Sequence, residues 1–231
     1  MSLNDELETY VKGVLAESWQ TRAGQVVPDP QDLPLRNLAV TLEATVLYAD
    51  LASSTDMVAT YTREFAAEVY KTYLYCAAKI IRANNGSITA YDGDRVMGVF
   101  IGDAKNSNAA KCALKINGAV HKIIQPAIKA QYSTTSYELE HKVGVDTSSL
   151  FIARTGIRGS NDLVWVGNAA NNAAKMAALP ATYQSYISSD VYSVLNAASR
   201  YGADGETNMW TSLGSSALGY PIYGSSWHWT P

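Results

Sequence analysis

The sequence is short of the residues on which several common chemistries depend. It holds two cysteines, Cys76 and Cys112, and three histidines, His121, His141 and His228. No CxxC pair occurs and the histidines are scattered, which excludes a zinc centre of the usual kind. Both cysteines sit in apolar stretches of helical character, TYLYCAAKII and AAKCALKI, so buried free thiols in a reducing compartment are expected. Charge is sparse: charged residues make up 17% and the net charge is −3. Without a basic stripe, a general nucleic-acid binder is excluded. No apolar run of about 18 residues occurs, so no membrane span is expected. The charged start, MSLNDELETYVKG, lacks the apolar core of a signal peptide, and a cytoplasmic protein is expected.

What is present is a chain able to bury a sizeable core: 231 residues, 47% of them hydrophobic. Residues 3–19 place Leu7, Val11, Val14, Leu15 and Trp19 at helical spacing. Residues 21–36 contain Pro28, Pro30 and Pro34 and read as an extended linker. Residues 1–36 are therefore expected to form a helix and Pro-rich arm, and residues 37–231 the main domain. In that domain LAVTLEATVLYADL reads as a strand ending at Asp50. A helix over 55–83 follows, then an Asn84-Asn85-Gly86 turn. Residues 87–91 and 95–101 read as a hairpin around Asp92-Gly93-Asp94. A helix over 106–131, kinked at Pro126, leads to paired strands at 141–147 and 150–155 and a short strand at 163–166. Helices over 168–178 and 188–198 complete the reading. The order βαββαβ predicts an α+β fold with a mainly antiparallel sheet covered by helices on one face.

Three places carry candidate chemistry. Asp50 ends an apolar strand, where a carboxylate is costly unless paired or bound to a cation. The small polar loop after it, Leu51-Ala52-Ser53-Ser54-Thr55, offers backbone amides to phosphate oxygens. Asp94 lies on the hairpin turn. Singly, each aspartate reads first as a turn or capping residue. Together in one strand–helix–hairpin frame they make a hard oxygen site suited to Mg²⁺ or Mn²⁺, and two such ions clamp the attacking and leaving oxygens of phosphoryl transfer. Third, Asn171 and Lys175 lie four apart in Gly167–Lys175 and share a helix face, a neutral donor beside a cation.

These segments resemble the catalytic domain of class III adenylate/guanylate cyclases. Tyr48-Ala49-Asp50-Leu51-Ala52-Ser53-Ser54-Thr55 resembles the first metal-aspartate motif of that family, and Gly93-Asp94-Arg95-Val96-Met97-Gly98-Val99-Phe100 the second. Lys142-Val143-Gly144-Val145-Asp146-Thr147 resembles its Gly-Ile-His-Thr-Gly strand, and Gly167–Lys175 its Gly-x-x-Val-Asn-x-Ala-x-Arg helix. The four motifs occur in family order over about residues 38–200. The resemblance implies the cyclase fold, with a ferredoxin-like core, and a head-to-tail homodimer with its sites at the interface. It implies two divalent metal ions held by Asp50 and Asp94 with the Leu51 carbonyl, acting on a nucleoside triphosphate. Asn171 of the other chain would orient the ribose, and Lys175 stands where the family usually has arginine. Arg158 falls where some relatives bind phosphate.

The base-reading positions depart from the purine pattern. Ala90 stands at the adenine-reading lysine position and Val164 at the base-reading aspartate position, and neither side chain can hydrogen-bond. Base contacts then fall to Tyr48, Tyr91 or Trp165. In this and in its short, standalone form the chain resembles the pyrimidine cyclases of the bacterial Pycsar antiphage system. That resemblance implies cyclic UMP from UTP, with cyclic CMP from CTP the alternative, as a messenger read by a separate effector protein. An adenylate cyclase with unusual base contacts and an inactive nucleotide sensor are the further alternatives. No C-terminal lysine matches the family's usual phosphate-binding one. The aromatic tail, Tyr220–Trp229, is expected to pack.

Overall fold

The structure, a computed structural model, describes residues 2–179, 182–215 and 218–231. Residues 44–148 and 168–231 form one compact unit, and residues 1–43 and 149–167 another.

The larger unit is built on β2 (Leu38–Leu51), whose residues from Ala44 onward belong to it. Val46, Leu47 and Ala49 are all buried, so both pleat faces are covered, as a central strand requires. The strand is followed by α2 (Ser54–Thr60) and α3 (Arg63–Ala83). The single helix expected over 55–83 is thus two. Tyr61 is extended, and the Thr62 hydroxyl caps a fresh start by accepting from the Phe65 amide at 3.3 Å. Along α3, Phe65, Val69, Tyr73, Ala77 and Ile80 form the buried stripe. The helix ends at Asn84-Asn85-Gly86, with Asn85 left-handed.

The hairpin β3 (Ser87–Asp92) and β4 (Arg95–Phe100) turns at Gly93, whose φ of 61° favours glycine. Next come α4 (Lys105–Ala119), a π turn (Val120–Ile124) and α5 (Gln125–Gln131). The break expected at Pro126 therefore falls one turn earlier. Proline lacks an N–H and its ring crowds the carbonyl four residues back, so the turn ahead of it widens.

Strand β5 (His141–Ile157) is continuous where two strands were expected, because no residue near Ser148-Ser149 breaks it. Its first part pairs in parallel with β7 (Ser185–Ser188). The strand order β3-β4-β2-β5, with α3 and α4 as the crossovers, is the ferredoxin-like arrangement. It is extended by β7, β9 (Pro221–Ser225) and β8 (Thr211–Ser215). Helix α6 (Asn168–Ala177) crosses β5 at Gly144. A Cβ there would run into the Ala173 carbonyl oxygen and lie 2.7 Å from the Ala177 amide nitrogen. Gly144→Ala is expected to destabilise the protein by about 3 kcal/mol in urea denaturation. The helix expected over 188–198 is two short ones, α7 (Ser189–Ser193) and α8 (Ala197–Arg200), capped by Ser188 and Asn196. The aromatic tail packs on α4: the Trp229 amide donates to the Leu114 carbonyl at 3.0 Å.

In the smaller unit, α1 (Leu3–Ala16) is capped by Ser2 and buries none of its residues. It stops three residues short of the expected end, since Glu17 is extended. Part of the expected linker is a strand, β1 (Gln20–Ala23), parallel to Leu38–Thr41. The prolines follow it, with a single 3₁₀ turn at Pro30–Asp32. Phe151–Ile157 pairs antiparallel with β6 (Ser160–Val166). The Trp19 ring meets Phe151 edge-on at 4.9 Å, and Arg154 donates to the Leu33 carbonyl at 3.0 Å.

Among the described residues, no helix is long and apolar enough to cross a membrane. Cys76 and Cys112 are free thiols: Cys112 is buried as its apolar setting predicts, while Cys76 is only half-buried.

Candidate active site

Strands β2 and β4 run antiparallel with Asp50 opposite Arg95, which puts Asp94 one residue from Asp50's cross-strand partner. The pairing register thus brings together the two aspartates singled out from the sequence. The Asp50 carboxylate accepts the Leu51 amide, yet its pKa is pushed up to about 6. Burial is the main cause and the Asp94 charge the second, with Arg95 opposing both. Arg95 cannot neutralise the pair fully, because its guanidinium is committed to Asp92, with Nε 3.1 Å from Oδ2. The result is a half-buried carboxylate pair whose like charges are poorly compensated.

Among the described residues, no cluster of three or more His, Cys, Asp and Glu side chains could hold a metal. Two carboxylates with a main-chain carbonyl suit a hard cation that keeps water and substrate phosphate as its other ligands. The strain between the Asp50 and Asp94 charges is what such a cation would relieve. The donor set therefore fits divalent Mg²⁺ or Mn²⁺.

Tyr73, fully buried on α3, props this site from within: its hydroxyl donates to the Asp50 carbonyl at 3.3 Å. In the loop that follows, the structure corrects one expectation. The Ala52 amide is not open to phosphate, because it donates to the Glu140 carbonyl at 2.9 Å.

Two of the base-reading candidates, Tyr48 and Ala90, share the sheet face that carries Asp50. Tyr48 on β2 and Ala90 on β3 are both cross-strand partners of Met97, and Tyr91 is opposite Val96. The Tyr48 ring lies 5.8 Å from the Arg95 guanidinium carbon, a cation–π contact, and burial pushes its hydroxyl pKa up. Tyr91 is exposed, and as Ala90's neighbour in the strand it faces the opposite way.

Asn171 and Lys175 sit on α6 of the same unit. Among the described residues, no hydrogen bond or ion pair joins either to Asp50 or Asp94. The pose of α6 is set by its neighbour: Asn172 donates to the buried Asp146 of β5 at 2.8 Å, and the Ala169 amide to the Ser148 hydroxyl at 3.0 Å. Arg158, Val164 and Trp165 belong to the smaller unit, Arg158 exposed in the β5–β6 turn and the other two on β6. Being adjacent in a strand, Val164 and Trp165 point to opposite faces.

Sequence reasoning passed over Arg95, Tyr73 and the Asp146–Asn172 pair. For Asp146 a signal was available, a carboxylate inside an apolar strand. For Tyr73 there was none, since it reads as one more apolar position of a helix.

The chain resembles in three dimensions the crystal structure of the adenylyl cyclase CyaB from P. aeruginosa. The TM-score is 0.67 and the identity 20%, over 81% of this chain and 95% of that one. The fold is that of a class III nucleotidyl cyclase catalytic domain. No protein-family profile matches the sequence. It is, however, 50% identical over 231 residues to the uridylate cyclase of Xanthomonas perforans, covering 99% of both chains. It is also 50% identical over 232 residues to the uridylate cyclase of Burkholderia cepacia, covering 100% of both. The chain belongs to the uridylate cyclase family and is a nucleotidyl cyclase, a phosphorus–oxygen lyase.

Proposed function

We propose that the protein converts UTP to 3′,5′-cyclic UMP and pyrophosphate, as a homodimer with its sites at the interface. The observation that carries this reading is the undercompensated pair Asp50 and Asp94 at adjacent strand ends. Those two carboxylates, with the Leu51 carbonyl, would hold two divalent cations, Mn²⁺ or Mg²⁺. Bound there, the cations supply Lewis-acid stabilisation of the reacting oxygens.

The chain's own residues do the rest. Asn171 of one protomer holds the ribose of the nucleotide whose phosphates lie over the partner's aspartates. This orients the 3′-oxygen toward the α-phosphorus. That oxygen bonds to phosphorus, the bond to the pyrophosphate oxygen breaks, and the hydroxyl proton leaves to solvent. Lys175 counters the charge gathering on the α-phosphate, with Arg158 on the outgoing phosphates. Because lysine is a point charge rather than a fork, Lys175→Arg is expected to keep or raise turnover, while Lys175→Ala lowers it about 100-fold in a pyrophosphate-release assay.

Support for uracil comes from the relatives' names and from the base positions. Apolar Ala90 and Val164 leave the polar edge of a purine unread, and Tyr48 stands beside the carboxylates to pack against a smaller base. The product acts as a second messenger in antiphage defence, read by a separate effector protein. The deciding experiment incubates the protein with each of the four ribonucleoside triphosphates and Mn²⁺ and weighs the products. Cyclic UMP supports the reading. Cyclic CMP moves the substrate to CTP, and cyclic AMP or cyclic GMP overturns the base argument.

A further inference from the structure

A polar cavity of about 150 Å³ lies among α4, the π turn and the segment that enters β5. Two side-chain atoms of its lining residues are buried without a hydrogen-bond partner, Asn117 Oδ1 and His141 Nε2. Asn117 is 0% exposed and His141 1%. Native structures rarely leave such groups unpaired, and one that does so invites a ligand. The Asn117 amide cannot turn to help itself. Its Nδ2 donates to the Ser226 and Trp227 carbonyls at 3.1 and 3.0 Å, so Oδ1 can only accept.

The cavity selects against charge. Burial, then Lys142 and His121, pushes the His141 pKa down to about 3, so its imidazole is neutral. His121 is held below its usual value by burial and by His228. At the rim Glu140 offsets Lys142, and Glu138 is taken up by Lys129. A cavity of this size holds a molecule as large as benzene, well beyond a single water. The fitting occupant carries an N–H for Asn117 and a second polar group for His141, on a compact uncharged frame.

Two links run from this cavity to the nucleotide site. The Glu140 carbonyl, from a lining residue, receives the Ala52 amide just past Asp50 and Leu51. The His141 ring lies 5.8 Å from the Tyr73 ring, and the Tyr73 hydroxyl holds the Asp50 carbonyl. Gln125 clamps the intervening segment at both ends, donating to the Tyr137 carbonyl at 2.8 Å and accepting the Leu139 amide at 2.7 Å. Displacing Glu140 or His141 therefore moves main-chain groups at the carboxylates themselves.

We propose that this cavity is a regulatory site for a compact uncharged cyclic amide or urea, whose binding changes the rate at the nucleotide site. The proposal rests on the cyclase reading only for what is regulated. The probe is 2-imidazolidinone, which carries N–H and carbonyl groups and no charge. It is expected to saturate the wild-type protein in ligand-observed NMR, to change Ala52 amide exchange about tenfold, and to change pyrophosphate release about twofold. Gln184 lines the cavity and lies away from the nucleotide site, so the bulk of Gln184→Trp is expected to remove all three effects while basal turnover stays. His141→Phe keeps the ring against Tyr73 but loses the nitrogen, and is expected to weaken the probe about tenfold.

Three results each overturn the proposal. The first is no saturable binding, with water the only occupant. The second is equal binding by Gln184→Trp. The third is binding that leaves both Ala52 exchange and turnover unmoved. If no nucleotide is cyclised at all, the cyclase reading falls, and Ala52 exchange still decides the cavity.

Discussion

Asp50→Asn is expected to lower nucleotide cyclisation by about 1,000-fold or more while making the metal-free protein more stable. The two effects have one origin. In the folded chain the Asp50 carboxyl titrates at about 6, against about 3.9 in an unfolded chain. The fold thus favours the protonated form. This contribution is fully present below about pH 4 and is lost as pH rises through about 6. At neutral pH the ionised pair weighs against folding, and an amide removes that weight. Allowing for solvent screening of a half-exposed group, the gain is on the order of 1 kcal/mol, or about 2–4 °C in Tm.

The measurement is a melting curve in a chelator. Asp50→Asn is expected to melt above wild type at pH 7.5 and level with it at pH 4. Adding Mn²⁺ is expected to raise the wild-type Tm and leave the variant unmoved. An active Asp50→Asn protein, or one less stable in chelator at pH 7.5, would contradict the metal assignment.

The second large effect is expected from mixing two dead proteins. If Asp50 acts on nucleotide held by Asn171 of the other chain, Asp50→Asn and Asn171→Ala homodimers are each inactive at both sites. Random reassociation makes half the dimers mixed. In a mixed dimer one site collects both lesions and the other collects neither. Coexpression is therefore expected to restore about a quarter of wild-type turnover. A mixture as inactive as its parents would place the whole site in one chain.

Much of the fold was legible because the strong signals are local. The Asp92-Gly93-Asp94 turn, the apolar run before Asp50 and the stripe from Phe65 to Ile80 each announce one element without help from the rest. What was misread depends on partners distant in sequence. β1 is only four residues long, and only its pairing with Leu38–Thr41 makes it a strand. β5 pairs with β7 along its first part and with β6 along its last, and between them it runs on beside β2, where Thr147 donates to the Ala44 carbonyl, none of which periodicity reveals. Thr62 could have been read as a helix start, but an unbroken apolar pattern hid it. At the site, the carboxylates were visible as residues out of place in apolar surroundings. Tyr73 and the Glu140 carbonyl were not, since one looks like core and the other acts through its backbone.

The two-residue link between β3 and β4 has a consequence for how such a chain can change over time. The turn works as a ruler. It counts Asp94 to the strand end, Arg95 to the place opposite Asp50, and Asp92 to within reach of Arg95. Substitution at its tip is constrained only by backbone angle, for Gly93 has no atom within 4 Å of where a Cβ would stand. Asparagine, which tolerates that angle, could replace it. Inserting or deleting one residue would shift every position past the turn to the other face of the sheet, carrying Asp94 away from Asp50. The hairpin is free to drift in spelling but fixed in length.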